Sequence, residues 1–501
     1  MDKVLVLDFG GPYSQVLANC VRNEGVFSEI LPNTASLERI RDGGYKAILL
    51  TGGDTSVNAP NASACDPSVL TLGLPVLGIG YGALWLAKQQ GGRIGSSVPG
   101  QFPVTPVDAA AAVDIVGDFR HPEQVTDIPG GWHITASAPN CFAAVFENAD
   151  RSLCALQFHP ESPKSTNATQ VLRAFLQRAC ETLDGWNIPD LLDSRIRTIR
   201  EQVGSGQVLC ALSGGVDSSV VAMMIHRAVG KQLTCIFVDH GLLRKNEADD
   251  VERIFREQFD INLKRIDARE RFLSLLAGVT DPEKKRKIIG ETFIRVFEEE
   301  AAKLGEVDFL AQGTIYPDIV ESGVDGNKVV KSHHNVGGLP EHIQFKQLIE
   351  PLSDLFKDEV RRAGLALGLP ESLVFRQPFP GPGLGVRVIG SITEEKLAIL
   401  READAIFREE IANAGLDRSI QQYFAIITDM RSVGVHASAR TYDYTVALRA
   451  IHTPDFMSAA PAELPYELLF TVVRRITTEV AGVNRVVYDV TGKPPATIEW
   501  E

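Results

Sequence analysis

One stretch of the sequence has residue types and spacing that point directly to chemistry: Ser213-Gly214-Gly215-Val216-Asp217-Ser218-Ser219. Two adjacent glycines permit backbone angles that a Cβ forbids, so successive N–H groups can face one point. Those donors, the hydroxyls of Ser213, Ser218 and Ser219, and the positive end of a following helix make a cradle for phosphate. Asp217 is out of place in a simple anion site. It fits a divalent cation that rides on the bound phosphate and takes an oxygen ligand. The stretch lacks the GxxxxGK(S/T) spacing and its lysine, which excludes a P-loop that transfers the γ-phosphoryl group.

The flanking residues supply what must position this loop. Val208 to Leu212 is a short apolar run that predicts a buried strand, and helical spacing begins at Val220. Cys235–Val238 predicts a second strand, ended by Asp239-His240-Gly241-Leu242-Leu243-Arg244. Loops at the carboxyl ends of parallel strands are where such folds bind ligands. Upstream, Val4–Leu7, Ala47–Leu50 and Val76–Ile79 predict strands, each followed by Gly-rich turns and helical stretches. They form another parallel α/β segment. Glu181–Leu191, with Gly185 and Pro189, reads as a connection, and the Pro/Gly-punctuated residues 376–388 open a third segment. The organisation expected is 1–180, 190–380 and 381–501.

Bulk properties exclude several classes. The 501 residues carry a net charge of −14, which argues against nucleic acid as a main partner. No apolar run approaches the roughly 18 residues needed to span a bilayer, and the start MDKVLVLDFGG has no signal-peptide layout. Seven cysteines lie scattered without CxxC pairs, which fits a reducing cytoplasm.

The Ser213–Ser219 pattern resembles that of ATP pyrophosphatases, which adenylate a substrate oxygen and release pyrophosphate. The first segment resembles a class I glutamine amidotransferase through LVLDFG at 5–10, LLTGGD at 49–54, PVLGIGYG at 75–82 and LQFHPE at 156–161. In that family a strand–elbow–helix presents a cysteine, activated by a histidine and a glutamate; His159 and Glu161 match that pair. The resemblance places the nucleophile at Gly80, which has no side chain to attack an amide. Cys65, Cys141 and Cys154 lie outside the elbow. Gly52-Gly53-Asp54 and the stretch Phe119-Arg120-His121-Pro122-Glu123-Gln124 also depart from the family pattern. Linked departures of this kind describe a domain released from glutamine hydrolysis.

The rest of the chain resembles GMP synthetases. The matching pieces are KKRKIIGETF (284–293), DFLAQGTIYPDIVESG (308–323), KSHHNVGGLP (331–340), PLSDLFKDEVRRAG (351–364), RQPFPGPGLGVRV (376–388) and the closing KPPATIEWE. The resemblance implies a flavodoxin-like glutaminase-type domain, an adenine nucleotide alpha hydrolase-like ATP pyrophosphatase domain, and a small α+β C-terminal dimerisation domain. It implies an adenylate site over Ser213–Ser219 and a lid at 331–340 with Lys331, His333 and His334. Lys357, Asp358 and Glu359 would help hold pyrophosphate and Mg²⁺, while Arg286, Arg387, Lys493 and Glu499 would contact the purine nucleotide. ATP, XMP or an analogous purine nucleotide, and ammonia follow as ligands, with a homodimer as the assembly.

Two departures bear on the substrate. Gln377 stands where the family has histidine before PFPGPG, and Val433-Gly434-Val435-His436-Ala437-Ser438-Ala439-Arg440 replaces the family's Gly-Asp by Ala-Ser. They favour, as an alternative, a synthetase acting on a modified purine nucleotide; a non-catalytic nucleotide-binding homologue is a further alternative. The intact loop and terminus weigh against the latter. Sulfur transfer to RNA would need a nucleophilic cysteine pair and a basic face, and neither is present.

Overall fold

The computed structural model describes residues 2–11, 13–107, 114–321, 345–436, 438–453 and 458–501. Chain contacts divide these residues into two compact units, the first ending at Leu191 and the second beginning at Leu192.

The first unit is built on a nine-stranded sheet. Its parallel part runs in the order Phe27–Pro32, Lys3–Asp8, Ala47–Thr51, Val76–Ile79 and Leu153–Leu156. The first four of these strands follow the second-first-third-fourth order of flavodoxin-like sheets. Antiparallel strands Cys141–Asn148, Trp132–Ala138, Gly100–Pro106 and Ile115–Phe119 extend it. Leu5, Leu7, Ile48, Leu50 and Val76 form a core with Leu84 and Trp85. Strands buried on both faces read as unbroken apolar runs, as LVL, AILL and PVLGI do.

In the second unit the sheet runs Asn262–Asp267, Leu233–Asp239, Val208–Ala211, Phe309–Ala311, Gln347–Ile349, parallel throughout. The order reverses at Val208–Ala211, and that switch point is where open α/β sheets leave a crevice for ligands. The helix Val216–Val229 follows this central strand and is apolar nearly all round, as its burial requires.

A third sheet pairs the long hairpin Gln422–His436 and Ala439–His452 with the parallel strand Val483–Asp489. Helices Glu394–Asn413 and Tyr466–Glu479 accompany it. A single hydrophobic core joins this region to the nucleotide sheet, running from Leu209 and Ile236 through Leu384 and Val388 to Val446 and Ile476.

Candidate functional site

The loop after Val208–Ala211 is shaped by its own hydroxyls. Ser218 Oγ accepts from the Ser213 N–H at 3.2 Å and lies 3.1 Å from Ser213 Oγ, while Gly215 N–H donates to Ser213 Oγ at 3.3 Å. Ser218 and Ser219 both donate to the Gly215 carbonyl, at 3.2 and 2.6 Å. Gly214 takes φ +79°, which favours glycine. Gly313, after the neighbouring strand Phe309–Ala311, packs so closely that a Cβ there would stand 3.1 Å from the Ser218 nitrogen. The loop is therefore clamped from behind, and the start of the Val216–Val229 helix lies at its open end.

Lys357 opens the helix Lys357–Ala366 and reaches Asp217, with Nζ 2.9 and 2.6 Å from the two carboxylate oxygens. Of the three residues expected to serve pyrophosphate, Lys357 alone is brought to Asp217. Asp358 pairs with Arg362 one turn on, at 3.1 Å and partly exposed. Glu359 turns inward, fully buried, and accepts from the Phe356 N–H at 2.8 Å, capping its own helix. Lys331, His333 and His334 lie outside the described residues, as does Ala437.

Arg376 opens the matching segment 376–388 but carries no role in the sequence reading. Its Nη1 donates to the Gly214 carbonyl at 3.1 Å, and its Nη2 pairs with Glu247. Burial pushes the Arg376 guanidinium down to about 9, and Arg244, which lies on the loop after Leu233–Asp239, down to about 9 as well. Burial likewise pushes His240 down to about 4, and its Nδ1 accepts from the Leu242 N–H at 3.0 Å.

The residues expected to contact the purine nucleotide converge in part. Arg387 makes a two-pronged pair with Glu499, Nε to Oε2 at 3.1 Å and Nη2 to Oε1 at 2.9 Å. Arg286 donates to the Glu501 carbonyl, and the adjacent Lys285 pairs with the Glu501 side chain. The Lys493 backbone pairs in both directions with Ala459, at 2.8 and 3.0 Å. Gln377 uses its carbonyl oxygen on the Tyr423 N–H, at 2.8 Å, fixing the start of a strand.

Among the described residues, no group of three or more His, Cys, Asp or Glu side chains is placed to hold a metal. Asp217 is then a single carboxylate on the glycine- and serine-rich loop. That donor set suits Mg²⁺, which is commonly held by one or two carboxylates together with substrate phosphates.

In the first unit the fold does bring Gly80, His159 and Glu161 together. Gly80 has φ +55° and ψ −117° between the strand Val76–Ile79 and the helix Tyr81–Gln89, a sharp elbow. His159 Nδ1 lies 2.7 Å from Glu161 Oε1. A Cβ at Gly80 would stand 2.5 Å from His159 Nε2, so the imidazole occupies the space a side chain would need. Tyr13 packs on His159 at 5.4 Å between ring centroids, and Arg120 lies 4.0 Å from the Tyr13 ring centre. Gly53 N–H, in the Gly52-Gly53-Asp54 turn, is spent on the Gly10 carbonyl. Among the thiols of this unit, burial pushes Cys65 and Cys154 up to about 12 and Cys141 and Cys180 up to about 11.

An elbow-bearing sheet followed by a switch-point phosphate loop defines a two-unit protein of the amidotransferase and ATP pyrophosphatase kind. Comparison agrees: residues 5–179 match the class I glutamine amidotransferase family, 190–291 NAD synthase, and 409–500 the GMP synthase C terminal domain. The chain is 54% identical over 99% of both chains to a glutamine-hydrolyzing GMP synthase of Acetivibrio thermocellus. It is 53% identical to that of Ruminiclostridium cellulolyticum, over 100% of this chain and 99% of that one. A Clostridium botulinum relative of the same name is 52% identical, with the same coverage. The chain belongs to the GMP synthase family.

Proposed function

We propose that this chain is an ammonia-using ligase that forms a C–N bond on XMP or a close purine analogue. O2 of the purine attacks the α-phosphorus of ATP, pyrophosphate leaves, and ammonia then displaces AMP at C2 to give GMP or its analogue. A bare oxide is a poor leaving group, and adenylation replaces it with AMP. The chain's work is orientation and charge stabilisation.

The observation that carries this reading is the Ser213–Ser219 loop with Lys357 on Asp217, at the switch point of the sheet in a GMP synthase family member. Loop N–H groups, the serine hydroxyls and the helix start bind and orient the ATP phosphates. Lys357 holds Asp217 and is itself a cation for the departing pyrophosphate. Mg²⁺, when bound, would neutralise phosphate charge, with Asp217 as its protein ligand.

Free ammonia as the nitrogen source rests on Gly80 and on the His159 ring that fills the space over it. The relatives are named glutamine-hydrolyzing; in this chain the elbow has no nucleophile. A homodimer is supported by the apolar side chains exposed on the third sheet and its helix, among them Met430, Val433, Val435, Tyr442, Tyr466 and Phe470. Among the described residues no helix is long and apolar enough to cross a membrane.

Pyrophosphate release with ATP, Mg²⁺ and ammonium, screened over XMP and purine analogues, tests the reading. Turnover that requires XMP, or one close analogue, is expected. Release that is indifferent to the purine contradicts it.

A further inference from the structure

Gly214 and Gly215 share a peptide unit with no Cβ on either flank. Such a unit rotates at little steric cost, and Gly214 already stands at φ +79°. A planar trans peptide points its carbonyl and its N–H in opposite directions. Rotation would therefore put a carbonyl oxygen where the loop offers a hydrogen-bond donor, and an oxygen repels phosphate. Within the loop, the restraint on this unit is the 3.3 Å bond from the Gly215 N–H to Ser213 Oγ.

Arg376 supplies a second restraint from outside the loop. It follows the helix Glu371–Val374, and its Nη1 donates to the Gly214 carbonyl at 3.1 Å. Its Nη2 pairs with Glu247, which opens the helix Glu247–Glu252. The Glu247 side chain is buried, and its other carboxylate oxygen accepts from the Arg244 N–H at 2.9 Å. One guanidinium thus ties the Gly214 carbonyl to a carboxylate that is itself fixed. A planar fork reaches two partners at set angles, which a point-charge ammonium does not. Val251, on the same helix as Glu247, crowds Gly214 as well. A Cβ there would stand 3.2 Å from Val251 Cγ2 and 3.7 Å from Arg376 Nη1.

We propose that Arg376 is a positioning residue of the ATP site. It holds the Gly214 carbonyl away from the ATP phosphates, so that the N–H groups of the loop face them. This rests on the ATP reading above.

The test compares KM and kcat for pyrophosphate release in Arg376→Met and Arg376→Lys. Arg376→Met is expected to raise the KM for ATP about tenfold, roughly 1.4 kcal/mol, with the KM for XMP moved less than twofold. Arg376→Lys keeps the charge and loses the fork, and its KM for ATP is expected to fall between, at roughly threefold. A merely structural arginine would lower the amount of active enzyme and leave the KM for ATP unchanged. That result, or an equal rise in both KM values, overturns the proposal while leaving the ATP reading intact. Should Arg376→Met fail to fold, Glu247→Gln keeps an acceptor for the Arg244 N–H and removes the charge that grips Arg376. It is expected to raise the KM for ATP roughly two- to threefold, and an unchanged value overturns the proposal. No XMP-dependent release by the unaltered chain overturns both the reading and the proposal.

Discussion

His159 Nε2 stands where a side chain at Gly80 would begin, 2.5 Å from the position of a Cβ. The ring is 7% exposed, tied to Glu161 and packed against Tyr13, so it has little room to withdraw. The histidine and glutamate of the family pattern are in register with the elbow, but they close over it.

Gly80→Cys is therefore expected to restore little glutamine hydrolysis. The new Cβ meets the imidazole, and the backbone at φ +55°, ψ −117° costs a residue with a side chain about 1–3 kcal/mol. Glutamate release from glutamine is the measurement; full activity in this single variant would show that the imidazole and the elbow backbone accommodate a side chain.

Asp217→Asn keeps the shape of the loop and removes its only acidic side chain. It removes the negative charge that pairs with Lys357 Nζ at 2.6 Å. Pyrophosphate release should fall on the order of 100-fold with the fold intact by circular dichroism. A near-normal rate would refute its role.

Lys493→Ala leaves the backbone pairing with Ala459 in place. A charged hydrogen bond to nucleotide phosphate is worth about 1.5–3 kcal/mol. The KM for XMP should accordingly rise roughly 10- to 150-fold, and an unchanged KM would remove Lys493 from the nucleotide site.

His240 gives a pH signature. Its folded value near 4 lies below the ordinary 6.5, because burial disfavours the charged ring. Between those values the unfolded chain binds the extra proton, so stability falls as pH drops from about 6.5 to about 4, by up to about 3 kcal/mol. Asn offers an oxygen where Nδ1 accepts from Leu242, so His240→Asn should flatten this part of the profile. Urea midpoints at pH 4.5 and 7 measure it; identical slopes in both proteins would show that His240 is not responsible.

Much of this was legible in the chain because local patterns carry it. The runs LVL, AILL and PVLGI, and the strand–loop–helix around Ser213, depend on burial and turn chemistry close in sequence. The glycine- and serine-rich turn and the glycine at the elbow could be read directly. What could not be read is the pairing of distant residues. Asp217 and Lys357 are 140 positions apart, Gly214 and Arg376 are 162, and only folding makes them neighbours. Glu359 and Arg387 show the converse. A charged residue in a matching segment does not reveal whether it faces a ligand or is turned inward to a helix cap or a carboxylate. Gln377 is similar: its use on the Tyr423 N–H is a tertiary contact with no sequence sign.

The central claim is amination with ammonia from outside the chain, and an isotope label tests it most directly. The chain is supplied with ATP, Mg²⁺, XMP, ¹⁵N-labelled ammonium and unlabelled glutamine together, and the purine product is examined by mass spectrometry. The account predicts ¹⁵N in the new exocyclic amine, with a rate that climbs about tenfold per pH unit while ammonium is the dominant species. An unlabelled amine derived from glutamine would contradict it.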